Sequence, residues 1–450
     1  MRGADAVSSM SQIILLCATA LSAGIATIVC HRPVRTLATG LAKSAKQILP
    51  AVIILFFIAT VSATWMLSGV VPTLIDYGLE MLNPRLFLFI TCAVCSVISV
   101  LTGSSWTTIA TIGIAFMGIG TVLGYSDGWI AGAIISGAYF GDKVSPLSDT
   151  TVLASSSCGV ELFSHVKFLM ITSIPSMAIA LIVFAFAGWS TPVTESAHSS
   201  EMVKFLNQSF NITPWILIIP AITLGLILLR VNTMATLAIS SLLGLAGLFI
   251  FQPRLAGSIL GNGLDSVTGY ISTAADVLLT ETRISTGNEL LDSLVSTGGI
   301  EGMMPTIYLV LCAMLFGGAM LGSGMLSTIT HAFTRRLRSP RSIISTTVGS
   351  GLFLNACTAD QYLSIIIGGN LYKNLYRRNG LDARLLSRSL EDSISVTSVL
   401  IPWNSCGVTQ ATVLGVATLS YLPYCIFNIM SPLMSLLVAW TGFRINRPKD

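Results

Sequence analysis

Residues 13–30, 48–71, 166–188, 214–230, 234–251 and 305–330 are unbroken apolar runs, each of the length that crosses or nearly crosses a bilayer. Hydrocarbon offers a backbone no hydrogen-bond partner, so a run that sits there must close its own bonds, and a continuous run does so only as an α-helix. Composition decides that lipid is the solvent. Charged residues are only 10% of the chain, against about a quarter in a soluble domain. Hydrophobic residues make up 53%, and the mean hydropathy is +0.80. The expectation is an all-α polytopic membrane protein, a single transport-sized membrane domain of about ten to twelve transmembrane segments. The first run has the small-residue pair Ala18 and Ala20 of a cleavable signal, but its front is weakly basic and His31, Arg32 and Arg35 follow it. It reads as a retained helix.

Basic residues in short loops set orientation. Arg32, Arg35, Lys43 and Lys46 form one cluster, Arg335, Arg336, Arg338 and Arg341 a second, and Lys373, Arg377, Arg378, Arg384 and Arg388 a third. These clusters and the tail with Arg444, Arg447 and Lys449 are placed in the cytoplasm. Loops 72–85, 190–213 and 252–304 are poor in bases, and the last carries Asp265, Asp276, Glu281, Glu289, Asp292 and Glu301. They face outward, the last as an amphipathic cover. A formal net charge of +4 distributed in this way reads as topology and excludes a nucleic-acid partner.

Two of those cytoplasmic clusters flank the apolar stretch 343–371, which must therefore enter and return. It is too short for two crossings and is broken at NACTADQ, Asn355 to Gln361, so a re-entrant helical hairpin is expected. Leu86 to Gly124, broken at TGSSWTT, supplies a counterpart from the opposite face. Paired hairpins and broken helices suggest an inverted-topology repeat, with halves at about 45–190 and 305–440. Linking helices at about 214–251 and the outer loop at 252–304 separate them. The triplet Cys158-Gly159-Val160, recurring as Cys406-Gly407-Val408, is the sequence support for the repeat.

The polar interruptions carry the chemistry. GDKVSPLSDTT places Asp142, Asp149, Ser145, Ser148, Thr150, Thr151 and the helix breaker Pro146 in an otherwise apolar region. Small hard cations such as Na+ need several oxygen ligands, which carboxylates, hydroxyls and freed carbonyls supply together. A charge at membrane depth costs about 2.5–3.5 kcal/mol on insertion scales, so two acids there without a use would be expensive; the plainer reading is a polar loop at the membrane surface. Asn355, Thr358, Asp360 and Gln361 form a second constellation with Glu391, Asp392, Ser393, Thr397, Ser398 and Asn404. Either acid of the 391–392 pair has a plainer reading as the interfacial partner of Arg384 or Arg388, and Asn404 as a helix-to-helix hydrogen bond. Ser104, Ser105 and Thr107 are neutral ligands at the first hairpin tip. Lys143 is either a structural counter-ion or a stand-in for the cation.

Other residues carry less. Cys92 and Cys95 form a CxxC inside an apolar run and read as packing residues, and His31, His165, His198 and His331 are given no role. No Ser/His/Asp, HExxH or phosphate-loop arrangement is present, so an enzyme is not expected, nor is a cofactor.

At TGSSWTTIATIGIAFMGIG, YFGDKVSPLSDTT, TADQYLSIIIGGNLYKNLYRRNGL and SRSLEDSISVTSVLIPWNSCG, supported by SGVVPTLIDYGL, the chain resembles the NhaC family of sodium/proton antiporters. The likeness extends from about residue 45 to 440. It implies the paired-hairpin fold of the ion transporter superfamily and Na+/H+ exchange in a bacterial inner membrane. It also implies, in some relatives, coupling to organic acids or amino acids. Val152 stands where the family often has Asn after Asp-Thr-Thr, and Val399 where it often has Pro. The residues and the resemblance together give antiport in which Na+ and H+ compete for Asp142, Asp149 and Asp360. The alternative is a Na+-coupled transporter of a small organic acid or amino acid. Partners are the lipid bilayer, the two ions and, in the alternative, an organic solute; a homodimer is compatible with the sequence.

Overall fold

The computed structural model describes residues 2–190, 204, 206–260, 267–282, 296–334, 337 and 339–443. Arg335, Arg336 and Arg338, the tail bases Arg444, Arg447 and Lys449, His198, and Asp265, Glu289 and Asp292 lie outside them, as does most of loop 190–213.

Among the described residues every named element is helical, and Thr282 and Thr297 form an isolated antiparallel bridge. In chain order the helices are α1 (Arg2–Gly24, ending in a π-turn Ile25–Val29), α2 (Val34–Leu67), α3 (Val70–Met81), α4 (Phe87–Thr102) and α5 (Ser105–Thr108). The last runs through a π-turn into α6 (Ile114–Val122). Then come α7 (Asp127–Val144), α8 (Asp149–Cys158), α9 (Leu162–Ser190), α10 (Ile218–Leu228), α11 (Thr233–Phe251), α12 (Pro253–Leu260), α13 (Val267–Leu279) and α14 (Gly299–Ser323). The remainder are α15 (Met325–Thr334), α16 (Pro340–Thr358), α17 (Gln361–Arg378), α18 (Ala383–Leu390), α19 (Ser405–Leu414), α20 (Thr418–Tyr421) and α21 (Ile426–Thr441).

Among the described residues, 7 helices are long and apolar enough to cross a membrane, or 8 when the pair Thr418–Tyr424 and Ile426–Thr441, bent by 58°, counts as one. The sequence expectation of ten to twelve came from chain length per crossing, and hydropathy leaves α7, α16 and α17 uncounted. These helices have the length, 18, 19 and 18 residues, but their polar residues keep them out of a count by hydropathy. The first helix packs along α14, where Gln12 Nε2 donates to Pro305 O at 3.1 Å.

Small residues let the helices approach, as they must where lipid removes the hydrophobic drive between them. Gly137 and Gly141 are spaced as GxxxG on α7. A Cβ at the first would lie 2.2 Å from the Cys92 carbonyl oxygen and at the second 2.6 Å from that of Ser96, so α4 can lie against α7 only over these glycines. Gly318 and Gly322 play the same part between α14 and α2, meeting the backbone at Leu41 and Leu37.

Four helix breaks organise the interior. After α4, Gly103 takes a left-handed φ of 68° and Ser104 caps α5; after α16, Ala359 takes φ 56° and Asp360 caps α17. Both fall inside the expected tips TGSSWTT and NACTADQ. The arms are longer than the sequence suggested: α17, at 18 residues, is about 27 Å long at 1.5 Å per residue. The other two breaks lie between α7 and α8, at Ser145–Ser148, and between α18 and α19, which a π-turn Glu391–Ser395 and a 3-10 turn Ser398–Leu400 separate. Here α8 and α19 each have 10 residues, each opens on a polar cap (Ser148, Asn404) and each closes on a left-handed glycine (Gly159, Gly415). The triplet correspondence read from sequence is corrected by this: Cys158 ends α8, whereas Cys406 lies at the start of α19.

Cys92 and Cys95 are buried and free. The segment read as an outer cover contains the short helices α12 and α13.

Candidate cation and proton site

Asp142 lies in the last turn of α7, just before the break, and is half-buried. Its Oδ2 accepts from the Ser105 hydroxyl at 2.6 Å and from the Ser105 N–H at 3.2 Å. That amide belongs to the first turn of α5, so a helix N-terminus points at the carboxylate. Ser104 caps the same turn, its Oγ accepting from the Thr107 N–H at 3.2 Å. Gly103 presses on the second break: a Cβ there would sit 2.7 Å from the Leu147 carbonyl carbon.

Hydroxyls in that second break mostly hold its shape. Ser145 Oγ donates to Val100 O at 2.8 Å, and Thr151 Oγ1 donates to Lys143 O at 3.0 Å. Ser148 Oγ lies 3.0 Å from Thr150 Oγ1 and accepts from the Thr151 N–H. Asp149 opens α8 and is exposed. It lines a cavity of about 300 Å³ with Thr102, Thr107, Arg230, Asn232 and Thr236.

Asp360 is buried at the third break, where its Oδ1 accepts from the Leu363 N–H at 2.8 Å and its Oδ2 faces Ser405 Oγ at 3.4 Å. The Ser405 N–H donates to Ala359 O at 2.9 Å, which ties this tip to the start of α19. Thr358 Oγ1 donates to Asp360 O at 2.9 Å. Asn355 donates to Ile394 O at 2.9 Å and Thr397 Oγ1 at 3.3 Å, and accepts from Asn404 Nδ2 at 2.8 Å. Thr397 in turn donates to Ser393 O. Asn404 is therefore both a helix cap and an interhelix bond, the plainer of its two readings.

Tyr362, in the first turn of α17, lies within electrostatic reach of Asp149, Asp142 and Asp360. The three carboxylates do not close on one point: among the described residues no three His, Cys, Asp or Glu side chains are placed to hold a single metal ion. Sequence reasoning missed Tyr362 because an aromatic beside apolar residues reads as core.

Glu391 and Asp392 sit behind this region, and both are fully buried. One acid does pair with an arginine, as the plainer reading had it, but in the buried core rather than at the interface. Arg384 pairs with Asp382 at 2.5 Å, outside the core, while Arg388 Nε faces Asp392 Oδ2 at 3.7 Å with neither side chain exposed. Lys143 is the counter-ion: its Nζ pairs with Asp392 Oδ1 and donates to Ser431 Oγ at 2.8 Å. Thr172 and Ser431 also donate to Asp392 Oδ1, at 3.0 and 2.9 Å, and neither had stood out within its apolar helix.

The sequence pattern of the Na+/H+ antiporter family matches residues 137–443, which contain Asp142, Lys143, Asp149, Asp360 and the 391–392 acids. The chain belongs to this family. The Na+/H+ antiporter NhaC of Alkalihalophilus pseudofirmus is 35% identical over 399 residues, covering 89% of this chain and 83% of that one. The malate-2H+/Na+-lactate antiporter of Bacillus subtilis is 36% identical over 398 residues, 88% of this chain and 81% of that one. The arginine/ornithine antiporter ArcD of Halobacterium salinarum is 36% identical over 411 residues, with coverages of 90% and 81%. This Na+/H+ antiporter family member is a multi-pass membrane transporter. Val152, where the resemblance led us to expect Asn, is 44% exposed.

Proposed function

We propose that this protein exchanges Na+ for H+ across a bacterial cytoplasmic membrane. The observation that carries this reading is the placing of Asp142 and Asp360 at two helix breaks, each beside a serine hydroxyl and a helix N-terminus, with Asp149 lining a polar cavity. A carboxylate with hydroxyl and carbonyl oxygens around it suits a weakly held monovalent cation. The cation meets Asp149 first and passes to Asp142 or Asp360, so the three acids act in succession. Antiport follows when cation and proton exclude one another and the empty, charged site does not cross. Any net charge moved exchanges about 2.3 kcal/mol per 100 mV with the membrane potential.

The matching order of breaks in 45–190 and 305–440 supports two halves of an inverted repeat whose hairpin tips meet at depth. The short helices of 252–304 cover the outer face in this arrangement.

A second reading rests on the cavity, which at about 300 Å³ exceeds a bare ion and is lined by both Asp149 and Arg230. An organic acid or amino acid fits such a space, and two relatives are named for such solutes. A Na+ pulse to acid-loaded everted vesicles separates the two. Alkalinisation of the lumen without organic solute supports antiport; a strict requirement for solute sinks it in favour of the second reading.

A further inference from the structure

Arg230 occupies a backbone position that favours glycine. The Val231 N–H donates to Leu226 O at 3.0 Å and the Arg230 N–H to Ile227 O at 2.9 Å, the paired bonds of a Schellman end to α10. Arg230 takes the left-handed place in that motif, with φ 60°. Glycine fills the left-handed place after α4, α8, α14, α19 and α21. A side chain there strains the backbone, so an arginine that keeps the place points to a use for its charge. A base that only marked orientation would serve as well from an unstrained neighbouring position in the loop.

Arg230 lines the cavity of about 300 Å³ that Asp149 also lines. Both residues are exposed, and neither has an ion-pair partner among the described residues. Two opposite charges thus share one small space without closing on each other, and the long arginine stem can bring them together by rotation. The base stands on a firm mount. Asn232 Oδ1 accepts from the Met234 N–H at 2.9 Å to start α11, while Thr223 of α10 and Trp65 of α2 both donate to Ser240 Oγ of α11 at 2.9 Å. A Cβ on Gly244 of α11 would lie 2.7 Å from Thr64 Oγ1 of α2. Asp149, by contrast, opens α8 immediately beyond the helix break at Ser145–Ser148. Lys143, the base nearest that break in the chain, is already held by Asp392.

We propose that Arg230 is a tethered competitor of the transported cation: when no cation is at Asp149 the Arg230 guanidinium moves onto its carboxylate, and Na+ enters by displacing it. The proposal rests on the Na+/H+ exchange reading above and adds a part to it. An exchanger must keep its empty, charged site from crossing. Arg230 on Asp149 neutralises that charge and ties α8 to helices fastened on α2, so the unloaded form is held. Na+ releases the tie because it takes the same carboxylate. One ionic contact replaces another, with no covalent bond changed and no proton moved.

Binding of radioactive sodium to purified parent, Arg230→Gln, Arg230→Lys and Arg230→Gly proteins tests this. Removing the competitor should tighten sodium binding about threefold in Arg230→Gln and Arg230→Gly, the scale of an exposed ion pair, whereas Arg230→Lys should bind as the parent does. The difference between parent and Arg230→Gln should shrink as ionic strength is raised with choline chloride. Arg230→Gly should unfold at or above the parent's thermal midpoint, and a lower midpoint would remove the strain on which the proposal stands. Arg230→Cys supplies a charge control, with the parent treated alike. A thiol reagent bearing an ammonium group should return its binding to the parent value, and one bearing a sulfonate should not. Unchanged or weaker sodium binding in Arg230→Gln overturns the proposal. So does an equal shift in Arg230→Lys, or an equal response to the two reagents, since charge would then not be the cause. Proton movement by the parent under a sodium gradient is measured separately in proteoliposomes. Its absence refutes the exchange reading, while the binding series still decides the role of Arg230.

Discussion

Lys143 and Asp392 stand 249 positions apart, yet they form an ion pair in which the side chains are only 1% and 0% exposed. The pair joins the last turn of α7 to the π-turn after α18. It is the one place where a cation of the first polar constellation grips an anion of the second among the described residues.

Breaking this pair from one side leaves a buried charge without its partner. Lys143→Met or Asp392→Asn should each lower stability by about 3–5 kcal/mol, and the double variant Lys143→Met with Asp392→Leu by less than either alone. Thermal unfolding in detergent, followed by tryptophan fluorescence, measures this. A double variant that loses the sum of the two single losses would show that the pair is not the source.

Ser105 gives Asp142 its shortest hydrogen bond, 2.6 Å. Replacing the hydroxyl removes a bond to a charged group, worth about 1.5–3 kcal/mol. Ser105→Ala should therefore raise the sodium concentration for half-maximal exchange by about tenfold or more, and Asp142→Asn should abolish exchange. An unaltered sodium dependence in Ser105→Ala would remove this hydroxyl from the site.

Asp149 is exposed at the start of α8, and its substitution should separate binding from folding. Asp149→Asn is expected to unfold within about 0.5 kcal/mol of the parent while losing sodium-dependent exchange. Ser148→Ala, which removes the α8 cap, should cost about 1 kcal/mol of stability. Exchange unchanged in Asp149→Asn takes that carboxylate out of the path.

Gly103 combines a left-handed φ of 68° with contact on the backbone of Leu147. Gly103→Ala meets both obstacles, a backbone strain of about 1–2 kcal/mol and a clash that relaxation can relieve only by separating the two breaks. Reduced yield of folded protein is expected, and the survivors should bind sodium more weakly. Parent-like thermal stability would show that the breaks are not pressed together.

Outside the membrane-spanning segments, burial acts to raise the Asp382 carboxyl, but the side-chain and backbone hydrogen bonds from Arg384, and its charge, hold it below the ordinary carboxylate range. A folded value below the unfolded one means stabilisation that is complete above about pH 4 and is lost as pH falls through the folded value. The parent should lose stability more steeply than Asp382→Asn on acidification, as read from thermal midpoints across a pH series. Parallel curves would assign the acid sensitivity elsewhere.

The sequence alone determined the solvent, the helical class and the places where helices stop. Hydrocarbon forces an apolar run to satisfy its backbone internally, and TGSSWTT, GDKVSPLSDTT and NACTADQ interrupt such runs with groups that cap or unwind a helix. Those are local properties, and the breaks at Gly103, Ser145–Ser148 and Ala359 fall within the motifs that announced them. Tertiary structure decided which polar group meets which. Asp392 carries nothing in its own neighbourhood that selects Lys143 over Arg384. Nor does the pair Glu391-Asp392 reveal that Asp392 Oδ1 takes hydrogen bonds from Lys143, Thr172 and Ser431. Each is fixed by helices distant in sequence packing to within a few ångströms, and the energy of a buried charge depends on those neighbours rather than on its own side chain.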